Sequence, residues 1–154
     1  MTDPLAQVLD REEIVQLSHS MAWHLDHCAW DELTELFTPE VVLDYTSLNG
    51  GEPQVVAREE VVDRWRGNRE GLTATQHIVT NQIVALAGDA ASATAMFQAT
   101  HLLPNPHGAP LWTLGGEYRY GLARTAAGWR ITALAMSIIW ADGNRNIRDL
   151  AARG

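Results

Sequence analysis

The sequence predicts an α+β fold, helices first and then a curved, mostly antiparallel sheet with one face to pack. Two changes of pattern carry that prediction. Between residues 10 and 36 apolar side chains recur at helical spacing, with Ile14, Leu17, Met21, Leu25 and Cys28 on one stripe. After Gly71 the period shifts to β-type runs, over residues 75–86, 91–103, 112–124 and 129–140. No repeat, low-complexity segment or linker separates the two parts, so residues 1–154 read as a single domain.

Each element has a local reason. Asp10 and Glu13 have the spacing of a capping box at the start of the first helix. The stretch AWDELTELF continues as a second short helix, which Pro39 prevents from propagating. VVLDYTSL reads as a strand and LNGGEPQ as a loop. AREEVVDRWRGNRE is a short amphipathic helix with Val61, Val62 and Trp65 available to pack. The four later strands are joined by AGDA, PNPHGAP and TAAG, the first and last short enough for hairpins, so a meander is the economical topology. The glycines of LGGEY, inside a strand, mark a bend or bulge. The tail NRNIRDLAARG forms a last helical turn or two, or frays. A sheet curved around a long helix leaves a cavity at its wide end.

Composition narrows the function. A chain of 154 residues buries about two-thirds of its unfolded surface and needs no disulfide or metal staple. Acidic residues outnumber basic ones 19 to 11, for a formal net charge of -8, without a positive stripe. Nucleic acid and anionic membranes are therefore poor partners. Cys28 is the only cysteine, and MTDPLAQVLDREE has neither a basic nor an apolar targeting region. The expected location is cytoplasmic. No window reaches the roughly 18 apolar residues of a membrane span. Most of the six tryptophans serve packing, although tryptophans also line pockets for apolar ligands.

His77 stands near the start of the first long strand. A lone histidine there is more often a packed or edge residue than a base. Asp26 bears on the choice, because a carboxylate that faces a sheet must be paired or hydrogen-bonded to stay charged. Either it faces the sheet, with His77 as its natural partner, or it turns to water with Asp31 and Glu32. In the first case it would fix the imidazole tautomer and raise the ring's basicity, leaving the other nitrogen to move a proton. Tyr45 shares strand parity with Val41 and Leu43 and should look inward, as core or as a catalytic hydroxyl. His101 shares parity with Phe97 and Ala99 and is a candidate second base or hydrogen-bond donor to substrate. Tyr118 and Trp140 are candidate pocket walls. His19, His24, His27 and Cys28 lack a carboxylate and a second ligating segment, so no metal site is expected there. No Gly-rich phosphate loop follows a strand, and no cofactor of any kind is implied.

The helix ending HLDHCAWDELTELFTPEVVLDYTS, the strand opening TQHIVTN and the hairpin TAAGWRI together resemble the SnoaL-like branch of the NTF2-like superfamily. That cone-shaped α+β fold also holds scytalone dehydratase and the hexachlorocyclohexane dehydrochlorinases. The resemblance runs from REEIVQL to GWRITALAMSIIWADGN. It implies that Asp26 and His77 are the acid/base pair, and that Tyr45 matches a tyrosine holding a water or carbonyl oxygen. The chain also departs from the dehydratase pattern. Leu25 replaces a second tyrosine beside the aspartate, Gly116 and Tyr118 replace a serine and an asparagine, and the dehydratase's second histidine falls about two residues beyond His101.

Residues and resemblance together predict a cofactor-independent lyase of the dehydratase type, acting by Asp26–His77 proton abstraction on an apolar, cyclic small molecule. A polyketide-type cyclase or an isomerase would use the same base. A non-catalytic ligand-binding module, or an accessory subunit like the small subunit of ring-hydroxylating dioxygenases, are the other readings. The partners expected are a small apolar ligand and further copies of the chain, as a dimer or trimer.

Overall fold

A computed structural model describes residues 3–153, and its first helix, α1 (Pro4–Asp26), starts earlier than the pattern predicts. Asp3 is the N-cap, accepting from the Leu5 amide, and Pro4 stands in the first turn, where its missing N–H leaves no helical bond unmade. Asp10 and Glu13 form no capping box; both carboxylates reach across to the far end of the sheet. Asp10 accepts from Arg124 at 2.8 and 2.7 Å and from the Trp129 indole at 3.0 Å, while Glu13 accepts from the Trp129 amide at 2.8 Å. The Arg124 guanidinium lies 4.6 Å over the Trp129 ring. This latch pins α1 to the last hairpin.

At its other end α1 stops because Cys28 takes a left-handed conformation (φ 56°), and the Ala29 amide then closes on the His24 carbonyl. The reversed chain makes α2 (Trp30–Thr34) and then β1 (Phe37–Asp44). Pro39 does not end a helix; it lies inside β1, where the pairing with β6 slips between Phe37 and Val42 and no ladder bond needs its missing N–H. The predicted strand through Thr46 and Ser47 stops at Asp44, whose carboxylate accepts from the Thr46 amide and hydroxyl and turns the chain into α3 (Thr46–Asn49). Inside the predicted loop and helix lies a short strand that the sequence did not mark, β2 (Gln54–Ala57), followed by α4 (Arg58–Arg69).

The four long strands agree closely with the pattern: β3 (Ala74–Ala87), β4 (Ala90–Leu102), β5 (Leu111–Thr125) and β6 (Gly128–Gly143). The tail folds as α5 (Ile147–Ala151), anchored by fully buried Ile147. One six-stranded sheet runs in the order β2-β1-β6-β5-β4-β3, antiparallel except for the β1–β6 pair. Trp129, Phe37, Ile14, Leu33, Ile131 and Leu134 make the core between its concave face and the helices.

Bulges shape that face. Asn81, at φ 56°, inserts one extra residue in β3 between Thr80 and Ile83, so inward alternation passes from His77 and Val79 to Val84 and Leu86. A second slip lies at Gly115/Gly116, the glycines expected to mark one. No helix among the described residues is long and apolar enough to cross a membrane.

Candidate active site

Two elements bring the central pair together. Along α1, Ser18, Ala22 and Asp26 recur every fourth residue and form a stripe of short side chains beside the bulkier apolar one. This stripe faces β3: Ser18 Oγ accepts from Gln82 Nε2 at 3.2 Å, and Asp26, the last helical residue, meets the strand's start. Asp26 Oδ1 accepts from His77 Nδ1 at 2.7 Å and from the Thr75 hydroxyl at 2.7 Å, and Oδ2 accepts from the His77 amide at 2.7 Å. The side chains are only 14% and 10% exposed for Asp26 and His77. Burial raises the Asp26 pKa, but the hydrogen bond and charge of His77, with the His77 amide and the Thr75 hydroxyl, outweigh it and hold the carboxyl below its ordinary 3.8. An ionised carboxylate only accepts, so Nδ1 carries the imidazole proton and Nε2 the lone pair.

His77 opens onto a cavity of about 100 Å³ between the sheet's concave face and the ends of α1, α3, α4 and α5. Asp26 stands behind His77 and is not part of the wall. Phe97, Leu114, Tyr118 and Met136 line the sheet side, with the Phe97 and Tyr118 rings stacked at 4.3 Å. Tyr45, partly buried, looks inward as its parity predicts. Burial, with the neighbouring Tyr118 and Tyr120, pushes its hydroxyl well above 10.0, and burial followed by the Asp26 charge raises Tyr118. Both phenols are therefore neutral donors.

His101 lies on the same wall, its ring centre 6.0 Å from that of His77 and 5.0 Å from that of Trp112. Burial first, then the nearby His77, lowers its pKa to about 4. Its Nδ1 donates to the Trp112 carbonyl at 3.3 Å, which leaves Nε2 as an acceptor.

Of the residues singled out from sequence, Asp26, His77, Tyr45, His101 and Tyr118 converge here, and Trp140 does not. Period-2 counting from Met136 and Ile138 places Trp140 inward. The bulge that pairs Gly115 with Trp140 and Gly116 with Ile138 makes Ile139 an extra residue, and Trp140 emerges on the outer face, 46% exposed, over Gly115. Trp65, expected only to pack, also lines the cavity, as do Thr75, Asn68, Arg69, Trp112 and Arg148, which no sequence pattern marked as site residues. Thr75 carried a signal, since it shares His77's parity on the strand.

The description of a SnoaL-like domain fits residues 6–135. The chain belongs to the SnoaL-like family. Among curated relatives, Rv2910c of Mycobacterium tuberculosis is 28% identical over 128 residues, spanning 82% of this chain and 84% of its own. The crystal structure of Kfla4162 from Kribbella flavida superposes with a TM-score of 0.86 at 26% identity, over 96% of this chain and 99% of that one. A protein named as a candidate scytalone dehydratase from Novosphingobium aromaticivorans has a TM-score of 0.77 at 16% identity, over 90% of each chain. At that identity the likeness is one of fold, and the fold is the NTF2-like α+β arrangement of this SnoaL-like chain.

Proposed function

We propose that this SnoaL-like protein is a cofactor-independent lyase of the dehydratase type, acting on a small, mostly apolar, cyclic molecule. The observation that carries this reading is that His77, on the wall of a mostly apolar cavity, holds a fully engaged Asp26 carboxylate behind it through a 2.7 Å contact at Nδ1. Nε2 of His77 takes a proton from a carbon next to a carbonyl, and the C–H electron pair moves into the enolate. Tyr45 or Tyr118 donates to the enolate oxygen. The enolate pair then expels the β-hydroxyl, which takes the proton from the His77 imidazolium and leaves as water, returning the ring to neutrality. His101, neutral at pH 7, accepts from a substrate hydroxyl and orients it. Asp26 stabilises the transient imidazolium without touching substrate. An isomerase or cyclase differs only in where the enolate pair goes.

The expected homo-oligomer, a dimer or trimer, belongs to the same proposal; Ile78, Met96 and Ile139 are exposed on the outer sheet face and supply apolar surface for it. A cytoplasmic setting goes with it, supported by the single cysteine, Cys28.

The test uses turnover of β-hydroxy cyclic ketones, or exchange of their α-hydrogen with deuterated solvent. His77→Ala should lower the rate roughly 100-fold to 10,000-fold. Asp26→Asn should lower it while changing affinity much less, and the double variant should be no worse than His77→Ala. Full turnover in both folded single variants would overturn the mechanism. Tight binding with no turnover or exchange in the wild type would make the protein a ligand-binding module instead.

A further inference from the structure

Two arginines, Arg69 and Arg148, line the cavity, and among the described residues neither has a carboxylate within 4.0 Å. Arg148, on α5, is partly buried. Its polar contact is one long hydrogen bond, 3.4 Å from Nη2 to Asn49 Oδ1, and its guanidinium lies 5.7 Å from the centre of the Trp112 ring. Arg69, on α4, donates to the carbonyls of Leu72 at 3.1 Å and Asp26 at 3.2 Å, and its buried Nε has no partner. A partly buried cation without counter-charge is unfavourable. Carboxylates are abundant in this acidic chain, yet the one beside the cavity, Asp26, is engaged by Thr75 and His77.

We infer that the cavity's ligand supplies the missing counter-charge: it is a small apolar carboxylate, anchored by Arg148 with Arg69 as a second cation, its hydrocarbon part against Phe97, Leu114 and Met136. This assignment of substrate class rests on reading the cavity as the active site. The wall itself sets the spacing. Arg148 stands beside Trp112, Trp112 beside His101, and His101 beside His77, so two aromatic side chains of the wall stand between the cation and the base. A guanidinium fork matches a planar carboxylate with two parallel hydrogen bonds. Burial first, then the neighbouring Arg145, lowers the Arg148 pKa, and the charge of Asp149, whose carboxylate is not within 4.0 Å, only partly offsets this; the same burial strengthens the pull on an anion held there.

Binding of a matched pair of probes, cyclohexanecarboxylate and cyclohexanecarboxamide, followed by calorimetry, tests the inference. The carboxylate should bind roughly tenfold tighter or more, the worth of a charge-assisted hydrogen bond. Added potassium chloride should weaken the carboxylate and leave the carboxamide unchanged, a readout that needs no variant. Arg148→Gln should abolish the preference, Arg148→Lys should keep part of it, and Arg145→Gln, at an exposed neighbour outside the cavity, should keep all of it. Equal affinity for the two probes, no binding of either, or a preference that survives in both Arg148→Gln and Arg69→Gln would overturn the proposal. Cyclohexyl phosphate binding more tightly than the carboxylate would overturn the carboxylate assignment. His77→Gln separates the two readings, because it should retain the preference. A preference in a protein without turnover refutes the lyase alone, and His77-dependent turnover without a preference refutes the anion site alone.

Discussion

His77 and His101 lie on one wall, yet their partners give them opposite characters. A carboxylate behind His77 fixes its tautomer, whereas His101 has the Trp112 carbonyl as its partner and a low-dielectric surrounding that keeps it neutral. The difference predicts an acid limb in stability. The unfolded chain binds a proton at His101 near pH 6.5 and the folded one only near 4, so stability falls as pH drops from 6.5 to 4 and loses no more on this account below that. The loss should total on the order of 3 kcal/mol. Urea denaturation at stepped pH should show it, and His101→Gln should flatten it; an unchanged slope in that variant would locate the effect elsewhere. Asp26 titrates lower: its folded pKa is depressed, so its contribution is complete above the unfolded value of 3.8 and fades as pH falls through the folded one. Thr75→Val removes one of the donors to Asp26 and should cost about 1.5–3 kcal/mol of stability. It should reduce turnover less than Asp26→Asn does. Single residues were the most legible part of the site. Asp26, His77, Tyr45 and His101 could be found by parity and chemistry, but whether Asp26 faced water or sheet depended on helix rotation, which one carboxylate beside an apolar stripe does not reveal. Nothing in the sequence marks Arg69 or Arg148, because the pocket they line is assembled from distant segments.

At the scale of elements, alternation and turn residues made the four long strands legible almost to their ends. Bulges were harder, since a period-2 count carries no mark where it slips, and that is why Trp140 was assigned to the wrong face. The glycines at the slip are an exception, and they differ in a measurable way. A Cβ at Gly116 would lie 1.9 Å from the Ser137 carbonyl oxygen, a backbone atom of the partner strand. At Gly115 it would meet the half-exposed Trp140 indole at 2.4 Å, a side chain with solvent to move into. Gly116→Ala should therefore destabilise by about 3 kcal/mol or more, and Gly115→Ala by roughly 1 kcal/mol. Comparable losses in thermal unfolding would show that the indole is as fixed as the strand. The start of α1 was misread for a related reason: Asp10 and Glu13 have capping-box spacing, and only the fold shows that their carboxylates are occupied by Arg124 and Trp129.

At the scale of the whole molecule, that latch joins Asp10 to residues 114 and 119 positions away, far beyond the separation of any hairpin contact. Hydrogen bonds from Arg124 and Trp129 hold the Asp10 carboxyl near a pKa of about 2. Its contribution should be whole above the unfolded value of 3.8 and disappear towards pH 2. Asp10→Asn should lower the melting temperature at neutral pH and narrow its gap from wild type in acid; a gap independent of pH would mean the ion pair contributes nothing. The latch also orders events in time. Each β-hairpin from β3 to β6 closes a short loop, whereas docking α1 closes a very long one, and loop-closure entropy favours the short ones first. The meander should thus acquire amide protection before α1, and Asp10→Ala should speed unfolding while leaving the refolding rate nearly unchanged. Pulse-labelled exchange with α1 protected first would reverse this order. If it holds, His77 waits on a formed sheet for its carboxylate, and proton-transfer competence is the last property a refolding chain regains.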